Sequence, residues 1–240
     1  MPEPAIVDHI LVAVSVLVDP LLNVWGYRRL VRRVRSGVAN ARSSAYRTGI
    51  LLSWTTTIGL VAFWLGAGRA AAALGLAAPL GVRLPVGAII TLLGLGVLYA
   101  QWRAVQRIGE KELGALRAQM AQFADMLPRT EREGAQFRLV SVTAGVCEEI
   151  WYRGYLIWYL AAFVGEWPAV FVGALVFGVL HLYQGPAGVL KTGANGLVMG
   201  LVYVGTGTLL WPVILHAAVD LQGGAMARRV LGPVPRAEPA

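Results

Sequence analysis

The stretch Ala144-Gly-Val-Cys-Glu-Glu-Ile-Trp-Tyr-Arg-Gly-Tyr-Leu156 decides how the rest of this chain is read. It sets Glu148, Glu149 and Arg153 inside a run that is otherwise apolar or aromatic. On a helix Glu149 and Arg153 stand four apart, share a face and can pair. Glu148 is turned from Glu149 by about 100°, because a helix has about 3.6 residues per turn. One carboxylate can therefore be held by the arginine while the other stays unpaired. Charges in a membrane are costly and mark function by default. The plain alternative is a structural ion pair beside a glutamate that reaches for the interface.

Composition supports the membrane. The chain has 240 residues, 57% hydrophobic and only 14% charged, with a mean hydropathy of +0.61. A soluble domain carries about a quarter charged residues. Apolar runs near the spanning length recur from end to end, so the fold class is all-α, a polytopic transmembrane helix bundle of about eight membrane segments. The net charge of +8 would fit a nucleic-acid binder. The basic residues, however, sit between apolar runs, where the positive-inside rule puts them, and this argues against nucleic acid. The single cysteine, Cys147, excludes an intrachain disulfide and a thiolate metal cluster. The N-terminus lacks a basic n-region, so the first apolar run is expected to be retained.

Spans are expected at about 6–25, 48–66, 86–102, 137–152, 154–164, 169–183, 189–204 and 208–225. The first is interrupted by Asp8, His9 and Asp19; Asp8 and His9 are expected at an interfacial end wetted by headgroups. Residues 28–47 hold seven arginines and no acid, which makes them a cytoplasmic loop by the charge rule. Residues 110–123 repeat Leu113, Leu116, Met120 and Phe123 at helical spacing and suit a surface helix. The short fifth segment predicts that the fourth and fifth form a bent or re-entrant pair. Gly196-xxx-Gly200 allows close helix packing. Three parts follow: 1–136 as N-terminal membrane segments and linker, 137–225 as a catalytic membrane core, and 226–240 as a disordered tail.

The C-terminal half gathers the intramembrane polar groups: Glu148, Glu149, Arg153, His181, His216 and Asp220. A glutamate beside a histidine can take a proton from water and deliver hydroxide to a carbonyl. A second histidine with a polar partner one turn on can serve the developing oxyanion. Each motif alone has a structural explanation, a helix-end histidine for His181 and a hydrogen-bonded pair for His216 and Asp220. All of them being structural at once is hard to reconcile with the accumulated desolvation cost.

Three ordered motifs carry a resemblance: Glu148-Glu-Ile-Trp-Tyr-Arg153, Phe177-Gly-Val-Leu-His181 and His216-Ala-Ala-Val-Asp220. The chain resembles the CPBP family of CAAX proteases and bacteriocin-processing enzymes, also called the ABI family, over about residues 127–222. The resemblance implies an intramembrane endopeptidase of about eight helices. It points to Glu148 and His181 for activating water, to His216 and Asp220 for the oxyanion side, and to Glu149 and Arg153 as supports. Asp220 departs from the asparagine often found there: an ionised aspartate cannot donate, so it is either protonated or acts through His216.

Other readings stay open at this stage. A glutamate-activated water without a required cofactor is the favoured reading, and a zinc-dependent CAAX-type metalloprotease is the alternative; the chain has no His-Glu-x-x-His pair. Cys147 as nucleophile has no supporting spacing. A proton relay lacks an internal inverted repeat. A non-catalytic membrane interaction or immunity protein would leave the motifs inert. The expected partners are a membrane protein or peptide substrate and the lipid bilayer. The expected location is an integral membrane position, by composition the inner membrane of a bacterial cell.

Overall fold

The computed structural model describes residues 3–232, and among them the secondary structure is entirely helical. The elements are α1 (Ile6–Leu17), α2 (Asp19–Arg35), α3 (Ala41–Gly66), α4 (Arg83–Arg107), α5 (Glu110–Met120), α6 (Glu131–Glu148), a π-helical segment (Glu149–Leu156), α7 (Ile157–Val164), α8 (Glu166–Leu180), α9 (Gly185–Thr206) and α10 (Leu210–Leu231). Four helical runs are long and apolar enough to cross a membrane: Ile6–Arg35, Ala41–Gly66, Arg83–Arg107 and Leu182–Thr206. Glu166–Leu180 is a shorter apolar helix. The rods that bear the charged motifs, 131–164 and 210–231, fall outside that set.

The expected count of about eight membrane segments is therefore met only loosely. Eight helical runs are present among the described residues, but one of them, α5, is a short helix pinned to the end of α10. Three expected boundaries change. Segments four and five are one uninterrupted rod, 131–164, with no re-entrant bend: the π-helical turns carry the backbone hydrogen bonding straight through Gly154. The basic loop of 28–47 shrinks to a connection over 36–40, because α2 continues to Arg35 and α3 begins at Ala41. Its arginines project from helix ends. Helix α10 likewise runs to Leu231 and takes in residues expected to begin a tail. Residues 233–240 lie outside the described residues.

Two ends of the bundle differ in charge. At one end the segment after α5 is strapped across α2, α3 and α10. Arg35 pairs with Asp125 at 2.9 Å, and Tyr46 donates to the Met126 carbonyl. Arg117 and Arg129 donate to the Val230 and Leu231 carbonyls, so two cations cap the C-terminus of α10. Thr130 and Glu133 form a capping box that starts α6. The other end is sparsely charged. There Leu209 donates its N–H to the Gly75 carbonyl and Thr208 its hydroxyl to Ala77. Between the ends, a core of Leu60, Trp64, Leu74, Ile150, Tyr155, Leu156 and Trp158 packs α3 against the π-helical segment.

Close approaches occur where side chains are small. A Cβ at Gly145 would stand 2.9 Å from the Ala217 backbone nitrogen, so α6 and α10 meet nearly backbone to backbone. Gly196 lies under Phe177, and a Cβ at Gly200 would meet Val170 at 2.8 Å. The expected role of the Gly196-xxx-Gly200 pair in close packing is thus seen.

Candidate active site

The π-helical segment begins at Glu149 and contains Arg153, so both groups of the opening motif stand where the helix widens. Such segments recur at functional sites. Glu149 is fully buried and Arg153 is 2% exposed. Arg153 Nη1 donates to Glu149 Oε1 at 2.9 Å, as the four-residue spacing requires. Its Nη2 donates to the Gly196 carbonyl at 3.3 Å, and its guanidinium lies 4.1 Å from the centre of the Phe177 ring. The charge is thereby held from three directions.

A second helix enters here. The close packing of α6 and α10 at Gly145 brings His216 beside the glutamates. His216 Nδ1 stands 2.6 Å from the same Glu149 Oε1. A carboxylate bonded to Arg153 can only accept, so Nδ1 carries the hydrogen. The other nitrogen, Nε2, is left facing two carboxylates, Glu148 Oε2 and Asp220 Oδ2, each at 3.8 Å. Those gaps are too long for direct hydrogen bonds and suit a bridging water or an incoming polar atom. Glu148 and Asp220 side chains are 32% and 37% exposed, whereas Glu149 is closed off.

His181 sits at the C-terminal end of α8. Its Nδ1 donates to the Phe177 carbonyl at 2.9 Å, which again leaves Nε2 free. The Phe177 ring lies 4.8 Å from the His181 ring and 6.0 Å from the His216 ring, so one aromatic separates the two histidines. The structure brings Glu148, Glu149, Arg153, His216 and Asp220 into direct proximity and connects His181 to them through Phe177. Asp220 was left either to orient His216 or to take part in the site directly; it is Glu149 whose oxygen takes the Nδ1 hydrogen, and Asp220 lies on the Nε2 side. Cys147 is buried at 2% exposure, as a packed small residue would be.

Residues 132–222 match the family described as type II CAAX prenyl endopeptidase Rce1-like. That segment is similar to the CAAX-protease family. No curated protein and no solved structure matches it. The Rce1-like segment runs from the first turn of α6 to Gln222 on α10, so it encloses every group of the site. It excludes α1 to α5.

The sequence reading missed a second buried cluster on the same rod. Asp8 is fully buried, not wetted by headgroups. Arg69 reaches it with two bonds, Nη1 to Oδ1 at 2.8 Å and Nη2 to Oδ2 at 2.6 Å. Tyr155 donates to Oδ1 at 2.8 Å and the Ala5 N–H to Oδ2 at 2.7 Å. The Arg69 guanidinium stands 5.0 and 4.8 Å from the Trp64 and Trp158 rings, and its hydrogen bond to Asp8 raises its pKa above the usual value. An acid in an apolar run was the available signal; its partner 61 residues away was invisible.

Among the described residues, no three His, Cys, Asp or Glu side chains are arranged to hold a metal ion. Glu149 Oε1 is already taken by Arg153 and His216 Nδ1.

Proposed function

We propose that this chain is an intramembrane endopeptidase that hydrolyses a peptide bond of a membrane-associated protein or peptide through water activated by Glu148 and a histidine. The observation that carries the reading is the pairing scheme within the matched segment: Arg153 and His216 Nδ1 are spent on Glu149, while Glu148 and His216 Nε2 are left unbonded 3.8 Å apart. In this reading Glu148 takes a proton from water as hydroxide adds to the scissile carbonyl. His181 Nε2, free because Nδ1 is tied to Phe177, accepts from the same water and orients it. His216 Nε2 and Asp220 face the carbonyl oxygen. For His216 to donate there, Nε2 must carry a proton, and Glu149, Glu148 and Asp220 are the carboxylates that balance the imidazolium. Collapse of the tetrahedral adduct returns the proton from Glu148 to the leaving amine. Glu149 and Arg153 act as positioning residues.

The positive-inside rule assigns the arginine-rich end, with α5 and the end of α10, to the cytoplasm. The test uses full-length protein in detergent with a farnesylated peptide ending in a CAAX box, beside the same peptide without the lipid. Cleavage by the wild type, lost in Glu148→Gln at equal folded amount, is the expected result. Equal cleavage by Glu148→Gln would sink the mechanism. If the CAAX peptide is untouched, comparison of membrane protein termini in cells with the wild type and Glu148→Gln seeks the substrate; identical termini would favour a non-catalytic membrane protein. Exhaustive chelation is expected to leave the rate unchanged, and loss restored by zinc would replace the water scheme with a metal one.

A further inference from the structure

Helix α8 ends on Leu180, and one 3₁₀ turn, Leu182–Gln184, follows His181 and joins it to α9. The Gln184 N–H closes that turn on the His181 carbonyl at 2.8 Å. Tyr183 stands at the centre of the turn, and the reaction scheme above gives it no part. Its ring lies 5.7 Å from the His181 ring and 5.4 Å from the ring of Tyr27 on α2. Asn23, one turn before Tyr27, donates to the Leu180 carbonyl at 3.1 Å. Two residues of α2 thus brace the turn that carries Tyr183.

The hydroxyl is the informative group. Its oxygen accepts from Gln184 Nε2 at 3.2 Å, and its hydrogen has no acceptor among the described residues. Glu148 and Asp220 are the carboxylates whose charge reaches it. The same two stand before His216 Nε2, each at 3.8 Å. The phenol O–H is therefore an uncommitted donor near the gap where the reacting atoms have to sit, with His216 across it on α10.

A free donor there answers a need of the reaction. Addition of hydroxide places a negative charge on the carbonyl oxygen, and preorganised donors aimed at that oxygen lower the barrier. An ionised Asp220 can only accept, so His216 Nε2 supplies one bond and Asp220 none. A phenol is neutral and adds no charge to a site already rich in carboxylates. We propose that Tyr183 is a further catalytic residue, whose hydroxyl donates a second hydrogen bond to the oxyanion beside that of His216 Nε2. The proposal rests on the peptidase reading. The phenol keeps its proton throughout, and the transferred proton travels through Glu148 as before.

The test is steady-state cleavage of the farnesylated CAAX-box peptide by the full-length protein, with inhibition by the phosphinic isostere of that peptide, which mimics the tetrahedral oxyanion. Tyr183→Phe keeps the ring that Tyr27 and His181 touch, so the turn keeps its packing. It is expected to lower kcat about 10²-fold, the usual loss for one oxyanion donor, with KM nearly unchanged. The isostere should bind the variant about 10²-fold less tightly, because it reports the same bond. A merely structural role would instead lower the folded fraction or weaken substrate and isostere alike. An unchanged kcat, or equal weakening of substrate and isostere, would overturn the proposal. If the peptide is not cleaved, the substrate found by comparison of termini takes its place. A wild type with no Glu148-dependent cleavage of either would end the peptidase reading and this proposal together, whereas Glu148-dependent cleavage indifferent to Tyr183→Phe would end this proposal alone.

Discussion

Two clusters of buried charge share the rod 131–164, and they are built on opposite principles. At Asp8, Arg69 and Tyr155 every strong group is answered: both carboxylate oxygens accept two bonds, and the guanidinium lies against two indoles. At Glu148, Glu149 and His216 one carboxylate is overcommitted, with two donors on Oε1 and a buried Oε2 that has no protein partner. Glu148 beside it is left uncommitted. A saturated cluster can only hold; a cluster with a free carboxylate and a free imidazole nitrogen can react. Burial of charge by itself does not separate the two. The distribution of unanswered atoms does.

The contrast breaks if function and stability fail to separate between the clusters. Glu148→Gln should lower kcat about 10²–10⁴-fold, the usual contribution of a positioned general base, while the melting temperature stays within error. Thermal unfolding beside single-turnover cleavage measures both. Asp8→Ala should do the reverse. It strands Arg69 in the core and should cost about 3–5 kcal/mol, read as a large fall in the unfolding midpoint, with the specific activity of the folded fraction kept. A catalytic loss of the Glu148 kind would place Asp8 among the functional residues. Tyr155→Phe sharpens the comparison, since it removes one hydroxyl and keeps the ring; about 1–3 kcal/mol of stability should go, because Asp8 loses one of its answers. Arg35→Ala, at an ion pair whose arginine is 72% exposed, should cost at most about 1 kcal/mol and serves as the baseline for charge removal.

What the sequence made legible follows the distance over which each contact acts. The Glu149–Arg153 pair is four residues apart on one helix, and its spacing alone announced it. The ordered motifs fell in the segment that the family comparison matched. His216 was legible as a candidate, but its bond to Glu149 spans 67 residues and depends on Gly145 and Ala217 letting two helices touch. Asp8 was misplaced at the interface because hydropathy reads an acid near a helix end as wetted, and its partners come from α7's rod and from the segment after α3. The uninterrupted rod was misread as two pieces because Gly154 and a short apolar run resemble a break. Gly154 is there for another reason: a Cβ would meet the Leu74 carbonyl at 2.6 Å.

The π-helical turns at Glu149–Leu156 have a bearing on how this chain tolerates insertion and deletion. Each i→i+5 turn accommodates one residue more than an α turn, so this stretch behaves as surplus chain spliced between two halves of a shaft. Removing one residue from it would let the turns relax toward α geometry and take up the surplus, so the two halves would turn against each other by less than the roughly 100° that a deletion from a regular α-helix causes. The Asp8 lock and the Glu149 pairing scheme stand at opposite ends of that splice. Length here is buffered by the wider turns.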